Sequence, residues 1–198
     1  MKKEHQRIEK IKECLRERQP EGRYQHTLGV VKAACNLAKH NGVSEEKAKV
    51  AALLHDYAKD LTEQELKNYI KTHNIKVDQS LLETYQLLHG VVGAHMAKME
   101  FEIEDEDVLQ AITYHTTGRA YMKPLEKIIY LSDFIEENRD YPGVNELREL
   151  AYKDLDYGLL QGFNNTIHFL LKTDKVLHCN TVEARNQILR ELSLKELV

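Results

Sequence analysis

The chain has 198 residues, 42% hydrophobic and 30% charged, which excludes disorder and collagen-like repetition and leaves room for one or two domains. Its 28 Lys and Arg against 32 Asp and Glu give a net charge of −4, so no overall positive field exists to hold nucleic acid or an anionic membrane. Cys14, Cys35 and Cys179 are odd in number and far apart, which supports neither a disulfide framework nor a zinc ribbon.

Helix breakers are few, with 9 Gly and 3 Pro, and apolar residues recur at three and four almost throughout. The N-terminal stretch is charged and lacks an apolar segment, which reads as a soluble, cytoplasmic protein. Ile8, Ile11 and Leu15 predict a first helix, ended at Pro20 to Gly22. A second carries His26 and stops at Asn41-Gly42, and Ser44 before Glu45-Glu46 starts a third. That third helix, Ala48 to Leu54, is apolar on most sides, as a central helix would be, and runs straight into His55-Asp56. Thr62 stands three before Glu65 as a capping box, and Asp105 precedes Glu106-Asp107. Gly118 is a stop, Pro124 suits a first turn, and Tyr141-Pro142-Gly143 is another stop. Leu155, Leu159, Phe163, Ile167 and Leu170 continue the helical period. The expectation is an all-α protein of about eight to ten helices joined by short loops, in one domain over 1–198.

Six polar residues interrupt these apolar patterns. His26 lies near Leu28, Val30 and Val31, and His55-Asp56 ends the most apolar helix. His89 follows Leu87-Leu88, His115 follows Ala111-Ile112 and Tyr114, and Asp133 divides Ile128 to Leu131 from Phe134-Ile135. Such groups cost several kcal/mol to bury unpaired, and a metal ion would pair them. Neutral imidazole with carboxylate suits Fe, Mn, Co or Zn, whereas an all-oxygen set would suit Mg or Ca. One buried histidine alone is more often a satisfied core residue than a ligand.

In order, His26, His55-Asp56 and Asp133 resemble the pattern that names the HD-domain metal-dependent phosphohydrolases, an all-helical superfamily, and the added His89 and His115 resemble its two-metal members. The run from Leu53 to Asp60 and the string His115-Thr116-Thr117-Gly118 resemble the bacterial YqeK family, which is associated with symmetrical cleavage of diadenosine tetraphosphate into two ADP. The resemblance extends from Arg23 to about Thr181 and implies one HD-type bundle. Its metal-site core would span about residues 23–140, with C-terminal helices completing it.

The resemblance further implies that His26, His55, Asp56 and Asp133 bind a first metal, Asp56 bridging to a second at His89 and His115. With one metal only, those two histidines would hold a bridging phosphate or protonate the leaving oxygen. Asp56, His89, His115 and Lys59 are then the expected catalytic set. Lys59, Arg23 and Arg139 would meet phosphate oxygens, and Thr116, Thr117 and Gly118 would offer hydroxyls and backbone N–H groups. Iron is the first expectation, with Mn, Co or Zn as alternatives, one or two ions in number. A metal-activated hydroxide would attack a dinucleoside polyphosphate. Another nucleotide substrate, such as a guanosine alarmone or a deoxynucleotide, stays open, as do a homodimer and a non-catalytic nucleotide-sensing module.

Overall fold

A computed structural model describes residues 2–195 of the chain. Among these residues there are eleven α-helices and no strand. They are α1 (Lys2–Arg18), α2 (Glu21–His40), α3 (Glu45–Leu54), α4 (Glu63–Thr72), α5 (Gln79–Glu83) and α6 (Leu88–Phe101), followed by α7 (Glu106–Tyr114), α8 (Pro124–Ile135), α9 (Val144–Lys153), α10 (Leu155–Lys172) and α11 (Cys179–Lys195). The one helix beyond the expected number is α5, five residues started by the Asp78 side chain accepting the Leu81 N–H.

The start signals act as local chemistry requires. Ser44 Oγ accepts the Lys47 N–H at 3.3 Å, and Thr62 and Glu65 exchange reciprocal hydrogen bonds at the head of α4. Asp105 caps α7, and Pro124 opens α8. Each satisfies or avoids donors that a helix start leaves orphaned.

α3 is the centre, packed against α1, α2, α6, α7 and α8. Its Ala48, Ala51, Ala52, Leu53 and Leu54 are fully buried, the alanines letting neighbouring helices approach closely. Each buried leucine side chain stabilises the fold by roughly 1.5 to 3 kcal/mol. One apolar cluster runs from Ile11 on α1 to Leu192 on α11. α10 packs on α8 and α9 and carries α11 against it, with the Phe163 and Tyr130 rings 4.4 Å apart. No helix among the described residues is long and apolar enough to cross a membrane. The ends of α3 and α7, the start of α6 and the middle of α2 all open on one buried polar centre.

Candidate metal centre

His55 and His115 are the residues at which α3 and α7 end, where helical carbonyls lack their usual N–H partners. Each ring uses one of those carbonyls: His55 Nδ1 donates to Ala52 O and His115 Nδ1 to Ile112 O, both at 2.7 Å. His89, at the start of α6, donates from Nδ1 to Gln86 O at 2.7 Å in the preceding 3-10 turn. A carbonyl can only accept, so all three rings carry a proton on Nδ1, and each neutral ring has Nε2 as its ligand atom. His26, inside α2, stands between two carboxylates, its Nδ1 3.2 Å from Glu136 Oε1 and its Nε2 3.1 Å from Asp133 Oδ1.

The four Nε2 atoms and Asp56 form one contiguous row. Ring centroids are 5.6 Å apart for His26 and His55, 5.1 Å for His55 and His115, and 4.9 Å for His89 and His115. Asp56 Oδ2 is 3.7 Å from His55 Nε2, while Oδ1 is 3.1 Å from His89 Nε2 and 3.3 Å from His115 Nε2. The Nε2 atoms of His89 and His115 face each other at 3.0 Å. His26 Nε2, His55 Nε2 and Asp56 Oδ1 are buried and make no hydrogen bond.

The centre is thus a buried collection of acceptors turned toward each other, which repel unless a cation lies among them. Two groups have ligand atoms within 4.8 Å of one another: His26, His55 and Asp56, and Asp56, His89 and His115. The donors are imidazole nitrogen and carboxylate oxygen, the set that suits a divalent transition metal. Asp133, on α8, lies beside the first group with its Oδ1 3.1 Å from His26 Nε2.

Charge states agree with a ligand role. Burial lowers the His55 pKa, and burial also brings His89 down to about 4, so both are neutral near pH 7. Burial opposes ionisation of Asp56, yet His55, His115, His89 and Lys59 hold its carboxyl well below the ordinary range. Burial likewise opposes ionisation of Asp133, and the His26 ring 3.1 Å away, with His55 nearby, outweighs it. Burial lowers His26, but Asp133 and Glu136 carry its pKa above the usual value.

The cations named from the sequence stand around this row. Lys59 Nζ is 3.2 Å from His89 Nε2 and 3.5 Å from Asp56 Oδ1, so it enters the acceptor cluster itself. Arg23 bridges Asp56 Oδ2 at 3.2 Å and Asp60 at 2.9 Å. Arg139 holds Asp133, donating from Nη2 to Oδ1 at 2.5 Å and from Nε to the backbone oxygen at 2.7 Å. Both arginines therefore rest on the acids of the centre.

The Thr116 to Gly118 turn is different. Thr116 Oγ1 is buried and unpartnered, whereas Thr117 Oγ1 donates to Gly118 O at 2.9 Å. Gly118 has φ +63°, and a Cβ there would stand 2.5 Å from the Phe163 ring and 3.1 Å from Ala184 Cβ. Its place is dictated by packing under α10 and α11, a requirement a single Gly in a sequence does not announce. Glu136 was not anticipated either, since the only local signal is a carboxylate at the end of an apolar helix.

An all-helical bundle with a buried His and Asp row at the ends of its central helices is the architecture of a metal-dependent phosphohydrolase. The HD-domain family matches residues 23–138, more than half of the chain, and the chain belongs to that family. It is 46% identical over 173 residues to a protein of Halalkalibacterium halodurans named bis(5'-nucleosyl)-tetraphosphatase, symmetrical, covering 86% of this chain and 91% of that relative. A Bacillus subtilis protein of the same name is 43% identical over 169 residues, covering 85% and 90%. A crystal structure from Clostridium acetobutylicum, described as a predicted HD superfamily hydrolase involved in NAD metabolism, superimposes with a TM-score of 0.89 at 42% identity, covering 92% of this chain and 97% of that one.

Proposed function

We propose that this chain hydrolyses diadenosine tetraphosphate symmetrically to two ADP with the help of a divalent transition metal, iron in the first instance. The observation that carries the reading is the row of convergent buried acceptors sharing Asp56, ringed by Lys59, Arg23 and Arg139. The similarity to relatives named symmetrical bis(5'-nucleosyl)-tetraphosphatase supports the substrate.

In this reading His26, His55, Asp56 and Asp133 would hold one ion, and Asp56, His89 and His115 a second. Bound there, such ions would neutralise equatorial phosphate oxygens and lower the pKa of water from about 15.7 toward 7. The chain's own groups do the rest. The Nδ1 hydrogen bonds of the four histidines fix their orientation, so little reorganisation accompanies binding. Lys59 turns its ammonium from the His89 and Asp56 pair toward an incoming phosphate oxygen. Arg23 exchanges Asp60, an exposed partner, for the polyphosphate, while Arg139 keeps Asp133 aligned and offers its outer N–H groups. Of the expected turn, Thr116 Oγ1 has its hydrogen-bonding capacity free, whereas the Gly118 N–H is taken by Tyr114 O and the Thr117 hydroxyl by Gly118 O, which corrects the expectation for those two residues. Gripping one ADP half sets that half's terminal phosphorus at the centre, so the bond that breaks is the central bridge. The oxygen of water joins that β-phosphorus, and the second ADP leaves with the bridging oxygen. The single domain has this core at about residues 23–140 and works in the cytoplasm.

Elemental analysis of anaerobically purified protein, with a turnover screen across dinucleoside polyphosphates, alarmones and deoxynucleotides, tests the proposal. Diadenosine tetraphosphate is expected to give two ADP, without AMP and ATP at early times. In ¹⁸O-labelled water the label enters the β-phosphate of one ADP per event. Early AMP and ATP, or rapid use of a guanosine alarmone by protein inert toward diadenosine tetraphosphate, overturns the substrate assignment.

A further inference from the structure

The four histidines of the centre are not held in the same way. His55, His89 and His115 each take their Nδ1 partner from a carbonyl three residues back, at a helix end or the 3-10 turn before α6. His26 has no such carbonyl, because it lies inside the 20-residue α2, where the neighbouring carbonyls serve the helix ladder. Its partner is Glu136, 110 residues away.

We infer that Glu136 is the positioning residue that holds His26 with Nε2 bare for a metal ion, and that Gly29 exists to admit it. The inference rests on the reading of His26 as a ligand. A carboxylate buried to 2% exposure would be costly without full pairing, and Glu136 is fully paired. Its Oε2 accepts from the Asn138 N–H at 2.7 Å and the Asn138 side-chain amide at 3.0 Å, leaving Oε1 for His26 Nδ1. The surrounding loop is itself fastened from α9: Arg148 donates to the carbonyls of Ile135 at 2.9 Å, Glu136 at 2.8 Å and Arg139 at 2.7 Å. The Ile135 carbonyl is one that the end of α8 leaves without a helical partner.

Gly29 supplies the complementary observation. One turn beyond His26, a Cβ there would stand 2.2 Å from Glu136 Oε2 and 3.1 Å from its Cδ. Glycine inside a helix is unfavourable relative to alanine. Here the carboxylate occupies the space that any side chain would need. A carboxylate also does more than a carbonyl could, since a full negative charge behind an imidazole strengthens it as a donor to a cation.

Glu136→Gln separates positioning from loop fastening. Because Oε2 receives two donors from Asn138, the glutamine oxygen stays there and its NH₂ group faces His26. The imidazole must then accept at Nδ1 and carry its proton on Nε2, the ligand atom. We expect Mn²⁺ affinity of the metal-depleted full chain, followed by EPR of free Mn²⁺, to fall on the order of 10- to 100-fold. The ¹⁵N pattern of His26 in the metal-free variant is expected to show loss of the Nδ1 proton, with helical circular dichroism unchanged. Gly29→Ala, which pushes the carboxylate away, is expected to lower Mn²⁺ affinity in the same direction. Native affinity and an unchanged His26 tautomer in Glu136→Gln overturn the inference, leaving Glu136 a loop fastener. So does a wild-type His26 without a proton on Nδ1, a measurement that needs no variant. The ligand reading fails separately, if His26→Ala binds Mn²⁺ as the wild type does.

Discussion

The two halves of the centre share Asp56 but satisfy their polar atoms differently. On the His26 and His55 side, both Nε2 atoms are buried without a hydrogen bond. On the His89 and His115 side, the facing Nε2 atoms are 3.0 Å apart and an ammonium is already present, Lys59 lying 3.2 Å from His89. The first half carries its compensating charge on its acids, Arg23 on Asp56 and Arg139 on Asp133, and leaves its imidazole nitrogens open, whereas in the second half the Lys59 ammonium stands against an imidazole nitrogen itself. On the proposed reading, the first half would be the tighter metal site. In the second, Lys59 would compete with an ion for the His89 lone pair, and a phosphate would draw the ammonium away.

The largest effect should come from removing what both halves share. Asp56→Ala is expected to release metal and cut turnover by on the order of a thousand-fold or more, the equivalent of roughly 4 kcal/mol of transition-state stabilisation. The fold should persist in circular dichroism, because this carboxylate faces the centre and not the apolar core. Normal activity at native metal content would end the assignment.

Next comes the asymmetry itself. His26→Ala should empty the tight site, while His89→Ala should keep that ion and lose about 10²- to 10⁴-fold in kcat, the range typical of a lost proton-transfer or phosphate-holding group. Metal content per chain, measured alongside kcat, decides. Equal metal loss in both variants would erase the distinction between the halves.

Lys59→Ala and Arg139→Ala should each cost about 10- to 100-fold in kcat/KM with metal retained, as fits charged hydrogen bonds worth roughly 1.5 to 3 kcal/mol. Their contacts sharpen the test, since Lys59 touches His89 and Arg139 holds Asp133. Metal loss in Arg139→Ala would make that arginine a support of the first half.

The smallest effect concerns pH. Burial lowers His89 to about 4, below the roughly 6.5 of an unfolded histidine, so the unfolded chain binds more protons in between. The contribution is intact above pH 6.5 and is lost as pH falls toward 4. For metal-depleted protein, going from pH 7 to 6 should cost about 0.7 kcal/mol through His89 alone, a slope that His89→Gln removes in urea titrations. An identical slope in the variant would show that His89 titrates alike in the folded and unfolded chain.

Much of this protein is written locally. Ser44, Thr62, Asp105 and Pro124 act on N–H groups within three or four residues of themselves, so the helix starts could be read before any tertiary contact was known. The apolar run ending in His55-Asp56 likewise marked the central helix, and the order of His26, His55, Asp56, His89, His115 and Asp133 carried the family resemblance. Three of the histidine orientations are also local, being hydrogen bonds to the carbonyl three residues back. Only the folded chain decides the rest. Periodicity and caps encode neighbours along a helix, but they hold no information on which distant residue meets which. Arg23 thus pairs with Asp56 and Asp60, Gly118 yields its space to Phe163, and Glu136 crosses 110 residues to reach His26, because helix packing brings those surfaces together and nothing in their spacing requires it.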